Sequence, residues 1–222
     1  MKVSLTRRFA AEFVGTAMLL ATVVGSGIMA ERLAGGNVAV ALLANTFATG
    51  AALFALILSF ASLSGAHFNP VVTLTEFLGG KMQLREVSAY FFAQFVGAVL
   101  GVVVANGMFE LPLVFASQKV RTGTAQWLSE FVATFGLVFV IAATARIKSK
   151  FAVPTAVAAY ISAAYWFTAS TSFANPAVTV ARSLSNTFAG IRPIDAPGFI
   201  VAQIAGALAA YFIFSWLLAE KS

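Results

Sequence analysis

No cysteine occurs among the 222 residues, so disulfides, thiolate metal sites and thiol redox chemistry are excluded. There is a single histidine, His67, too few for a histidine-built metal centre. Charge is scarce as well: 10% of residues are Asp, Glu, Lys or Arg, where a soluble domain carries about a quarter. That leaves too little polar surface to cover a water-facing globule. No nucleophile–base pair or metal cluster stands out in the pattern. The expectation is therefore a protein that is not an enzyme and needs no metal or cofactor.

What is present is apolar: 60% of the chain is hydrophobic and the mean hydropathy is +0.90. Runs near 9–30, 38–60, 87–106, 127–145, 152–170 and 196–219 each hold roughly twenty residues, the length that spans a bilayer about 30 Å thick. Six spans are expected, and the lipid bilayer is the first partner. Arg7 and Arg8 precede the first run as in a signal peptide. That run is long and contains Glu12, so it reads as a retained span.

The net charge of +6 follows topology. With the N-terminus in the cytoplasm, cytoplasmic segments collect Lys2, Arg7, Arg8, Lys81, Arg85, Arg146, Lys148, Lys150 and Lys221. The other side collects Arg32, Lys119, Arg121, Arg182 and Arg192. Nine against five places both termini inside by the positive-inside rule. Nucleic acid is not an expected partner.

The chain resembles itself. Ala11-Glu12-Phe13-Val14-Gly15-Thr16 recurs as Ser129-Glu130-Phe131-Val132-Ala133-Thr134, offset by 118 residues. Phe68-Asn69-Pro70-Val71-Val72-Thr73 recurs as Ala174-Asn175-Pro176-Ala177-Val178-Thr179, offset by 106, and Gln94-Phe95-Val96-Gly97 as Gln203-Ile204-Ala205-Gly206, offset by 109. One domain over 1–222 therefore divides into a first repeat (about 1–106), a polar linker (about 107–125) and a second repeat (about 126–222). Three spans per half force the halves to insert in opposite orientations, and function sits at the midplane between such repeats.

Segments 69–79 and 175–186 are too short to cross, and each begins with Asn-Pro. Asparagine is a preferred N-cap and proline suits the first helical position. Irregular backbone at membrane depth is tolerated only inside protein or along a water-filled cavity. Two re-entrant half-helices follow, meeting end to end. Each N-terminus carries about half a positive charge. Two of them at about 5 Å and effective dielectric 20 oppose a cation by about 3 kcal/mol. Asn69 and Asn175 then aim amide donors into the pore. Glu12 and Glu130, costly at mid-membrane, read as scaffold carboxylates accepting backbone N–H groups from the re-entrant loops. A proton relay is the alternative. Gly97-x-x-x-Gly101 and Gly206-x-x-x-Ala210 predict close helix crossings.

These residues resemble a known family. Ala11 to Thr16, Ser64-Gly65-Ala66-His67-Phe68-Asn69-Pro70 and Asn175-Pro176-Ala177 look like the signatures of aquaporins, the major intrinsic protein family. The resemblance covers essentially the whole chain. It implies an all-α membrane protein with six transmembrane helices and two half-helices. It also implies one pore per subunit, usually a homotetramer, and Glu12 and Glu130 as loop scaffolds. Typical members carry an arginine directly after the second Asn-Pro-Ala; this chain has Val178. By the family's spacing the other filter positions fall on Thr49, Ala163 and Ser172. His67, Arg182 and Glu76 are placed along the pore or its vestibules. Arg182 either folds back to replace the missing arginine or stays a surface charge, and its displacement by one turn, about 5 Å, favours the second. The expected function is passive diffusion of water and small uncharged solutes such as glycerol, urea or undissociated metalloid acids such as arsenous acid. The replaced arginine resembles a bacterial aquaglyceroporin-like branch, which implies a multi-pass protein of the bacterial inner membrane. A water-selective channel and a proton-coupled transporter using the in-membrane glutamates are the alternatives.

Overall fold

A computed structural model describes residues 3–218; Lys2 and Lys221 lie outside them. The order is α1 (Leu5–Leu33), α2 (Val38–Ser64), α3 (Pro70–Leu78), α4 (Leu84–Met108), α5 (Thr124–Thr144), α6 (Ala152–Phe167), α7 (Pro176–Arg182) and α8 (Ala196–Leu218), with a 3-10 turn at Pro193–Asp195 before α8. Local chemistry sets the ends. Asn37 caps α2 by accepting from Ala39 N and Val40 N, and Gly65, at φ 92°, closes it in the left-handed region that glycine enters without strain.

Among the described residues, five helices are long and apolar enough to cross a membrane. The expected span at 152–170 is shorter than the sequence suggests: α6 has 16 residues, about 24 Å of rise. It stops because Thr168 turns extended and residues 168–174 form a re-entrant loop instead of a further turn. The second half-helix is also shorter than 175–186, ending at Arg182.

The halves repeat in packing. α1 lies along α4 in the first, and α5 along α8 in the second, while α2 meets α6 across the halves. Glycine permits the two long crossings: a Cβ on Gly97 would strike the Phe13 carbonyl, and one on Gly206 the Phe131 carbonyl. The linker is not free. Phe115 N donates to Leu184 O, Ser117 N to Ser183 O, and Arg192 N to Lys119 O, so it is stitched to the chain beyond α7.

Burial runs opposite to that of a soluble protein. Phe47, Phe92, Val201, Phe212 and Trp216 face outwards, while Glu12, Glu130, Gln94, Gln203, Asn69, Asn175 and Arg182 are buried. An apolar exterior around a polar axis suits hydrocarbon outside and a hydrated path inside.

Candidate functional site

The two re-entrant loops are strained in the same way. Ala66 and Phe68 hold φ of 51° and 49°; their repeat equivalents Ser172 and Ala174 hold 49° and 48°. Non-glycine residues persist there only when surrounding contacts over-determine them. The carboxylates supply those contacts. Glu12 Oε1 accepts from Ser64 Oγ (2.6 Å) and His67 N (3.0 Å), and Oε2 from Phe68 N (2.8 Å) and Gln94 Nε2 (2.9 Å). Glu130 accepts from Phe173 N and Ala174 N (both 2.8 Å) and from Gln203 Nε2 (2.6 Å). Both glutamines also donate to a half-helix threonine, Gln94 to Thr73 (3.0 Å) and Gln203 to Thr179 (2.9 Å). The α1 and α5 carboxylates thus hold loops α2–α3 and α6–α7.

So held, the loops meet. Asn69 Oδ1 accepts from Val71 N, and Asn175 Oδ1 from Ala177 N and Val178 N, capping α3 and α7. Asn69 Nδ2 donates to Ala174 O and Asn175 Nδ2 to Phe68 O, both at 2.8 Å, each reaching into the other half. An amide has two N–H donors. Each asparagine therefore has a second amide N–H beside the cavity that both line.

That cavity has a volume of about 270 Å³. Its walls are aliphatic ladders at helical spacing: Leu19 and Val23 on α1, Leu53 and Ile57 on α2, Leu137 and Ile141 on α5, and Val153, Val157 and Ile161 on α6. Thr49, Ser172 and Val178 line it, as do His67, Glu76 and Arg182. Ala163 does not. It faces the exterior of α6, and Tyr165, two residues on, takes the inward position, its hydroxyl donating to Thr49 Oγ1 at 3.3 Å. Thr49 and Tyr165, joined by that bond, thus line the cavity together with Ser172 and Val178. The Ser172 hydroxyl is buried without a protein partner.

The ends of the cavity differ. At one, Glu76 pairs with Lys81 (2.9 Å), and His67 Nδ1 lies 3.0 Å from Thr73 Oγ1. At the other, Arg182 is no surface charge. It is buried, its Nε donates to Ala189 O, and its guanidinium lies 3.4 Å from the Phe173 ring centroid. The physical reason is the loop after α7, which folds back and delivers a carbonyl to an arginine whose α-helix has already ended. Nearby Lys119 donates to Phe188 O, and burial beside Arg121 and Arg182 pulls its ammonium down to about 8.

Four functional positions escape a reading of the sequence: Tyr165, Phe173, Arg121 and Ala189. Tyr165 alone has a signal, since it continues the four-residue ladder Val153, Val157, Ile161. The others act through ring contacts and a backbone carbonyl.

Residues 1–169 match the family described as "Major intrinsic protein". The chain is 56% identical over 214 residues, 96% of its own length and 91% of the other, to aquaglyceroporin AqpS of Rhizobium meliloti (strain 1021). It is 36% identical over 140 residues to aquaporin TIP1-2 of Zea mays, covering 61% of this chain and 55% of that one. The X-ray structure of the aquaglyceroporin from Plasmodium falciparum superposes with a TM-score of 0.74 at 21% identity, covering 97% of this chain and 98% of that one. At that identity the likeness is one of fold.

Proposed function

The chain belongs to the major intrinsic protein family and is a multi-pass membrane channel for water and small solutes, and from that premise we propose a wide-filter pore for uncharged, hydroxyl-bearing solutes, with water as co-permeant. The observation that carries this reading is the ring of Thr49, Tyr165, Ser172 and Val178, where valine stands in the place the family gives to arginine. Three hydroxyls and a branched aliphatic in one lining match a small uncharged solute that carries both hydrogen-bonding groups and carbon surface. Glycerol fits that description, and urea and undissociated arsenous acid share its small size, its neutrality and its hydrogen-bonding groups. The name of the Rhizobium relative, an aquaglyceroporin, supports the glycerol assignment.

Asn69 and Asn175 act as midplane donors, orienting each solute and interrupting a water wire. Glu12 and Glu130 act as scaffolds. Four and three donors respectively already engage them, which speaks against a proton relay. His67 and Glu76 belong to one vestibule and Arg182 to the other. The halves behave as one channel domain. The distribution of Lys and Arg favours cytoplasmic termini, the bacterial relative supports a bacterial inner membrane, and the outward apolar faces suit a homotetramer with one pore per subunit.

Stopped-flow light scattering on proteoliposomes tests the reading. Glycerol, urea and arsenous acid should cross well above protein-free vesicles, in both directions and without an energy source. Water flux alone, with none of the three solutes, overturns it in favour of a water-selective pore.

A further inference from the structure

Arg182 has more hydrogen-bond donors than the protein answers. It is 2% exposed and its Nε donates to Ala189 O. A guanidinium carries five N–H groups, so four remain, and none has a protein acceptor among the described residues. Nor is the charge neutralised: the ion pairs among those residues engage Arg8, Lys81 and Arg192. A second guanidinium, that of Arg121, lies 5.0 Å from the same Phe173 ring and adds to the positive potential. Its own Nε donates to Gly190 O and its Nη1 to Ser170 O and Thr171 Oγ1. On the same cavity wall stands Ser172 Oγ, its residue 3% exposed, also with no partner.

An uncompensated buried guanidinium that lines the same cavity as an unpaired hydroxyl asks for oxygen acceptors that carry charge. The planar fork of arginine matches the two oxygens of a carboxylate, with short, charge-assisted bonds. We propose that this end of the pore is a binding site for a small monovalent oxyanion of the carboxylate class, held by the Arg182 fork and the Ser172 hydroxyl. The anion stays there. Beyond the ring the walls are Leu53, Ile57, Leu137, Val157 and Ile161, and carbon walls return none of the hydration an ion would lose. The bound anion therefore plugs the path that neutral solutes use, and external carboxylates set the open fraction of the channel. This rests on the proposed reading of the pore as a path for neutral solutes.

Formate is the probe, because it carries the two oxygens with the least bulk. Glycerol flux into proteoliposomes is measured at pH 7.5 with formate outside, against chloride at equal ionic strength, with protein-free vesicles subtracted. Formate should slow glycerol at least threefold relative to chloride. Arg182→Lys keeps the charge and loses the fork; Ser172→Ala removes one oxygen. Each should raise the half-inhibiting formate concentration at least fivefold, judged against that variant's own flux in chloride. Equal flux in formate and chloride for the unaltered protein overturns the site, as does undiminished inhibition in Ser172→Ala. Formate-driven swelling carried by the protein overturns the plug. If glycerol does not cross even in chloride, the proposed solute is wrong. Calorimetric titration of the purified protein with formate then decides the site by itself: binding lost in Arg182→Lys supports it, and no binding to the unaltered protein overturns it.

Discussion

In the first half, Glu12 answers four donors and the half-helix ends at a solvent-reaching Glu76–Lys81 pair; in the second, Glu130 answers three and the half-helix ends at a buried Arg182 with no acidic partner among the described residues. Between these ends the halves coincide to the side chain: Gln94 with Gln203, Thr73 with Thr179, Asn69 with Asn175. The difference teaches where each property resides. In the proposed pore, cation rejection and solute orientation belong to the shared centre, and the difference in charge belongs to the mouths, where the repeat is broken. A pore can therefore keep its midplane and change its clientele by substitutions at one mouth.

The largest test removes the scaffold. Glu12→Ala should cost about 4 kcal/mol or more, at about 1 kcal/mol or more for each buried donor left unpaired, and Glu130→Ala about 3. Thermal unfolding in detergent measures both, and Glu130→Ala as the more damaging variant would reverse the comparison.

Next comes the missing cation. Val178→Arg should set a charge about 6 Å from a permeating cation, opposing it by about 3 kcal/mol at effective dielectric 20. It also adds bulk, so glycerol flux should fall roughly ten- to a hundredfold, the range for a pocket that no longer fits, and water flux much less. Val72→Arg, the equivalent change in the first half, gains Glu76 one turn away as a partner and should do far less. Equal losses of water and glycerol in Val178→Arg would remove residue 178 from the control of solute size.

A smaller, symmetric effect is expected at the centre. Asn69→Asp and Asn175→Asp each replace a cross-half donor with a carboxylate and cancel part of the half-helix field. Neutral flux should drop by up to about tenfold in both, with cation conductance appearing in planar bilayers, since the lost amide–carbonyl bond is worth about 0.5–1.5 kcal/mol. A twofold or greater disparity between the variants would deny the central symmetry. The smallest effect belongs to Lys81→Ala. Its pair is exposed, such pairs contribute about 0–1 kcal/mol, and glycerol flux should change by less than about twofold.

Much of this was legible in the residues because the repeat is written twice. Glu12 with Glu130 and Asn69 with Asn175 stand at fixed positions in recurring motifs, so the loops they hold could be named before any helix was drawn. Ala163 shows where legibility stops. It was placed by counting along a segment with no repeated anchor, and α6 rotates it outwards while Tyr165 turns in. The burial of Arg182 was out of reach for a different reason. Its partners are the Ala189 carbonyl and the Phe173 face, and neither a backbone carbonyl nor a ring orientation leaves a mark in the spelling of a chain.

The crossed bonds from Asn69 to Ala174 and from Asn175 to Phe68 join residues 105 and 107 apart in the chain. A ribosome adding about 5–20 residues each second needs about 5–20 s to cover that distance. Throughout that interval the first loop has its Glu12 anchor and lacks its counterpart. Biogenesis must therefore insert the early helices before the aperture exists, and the opening is finished only when the last third of the polypeptide arrives.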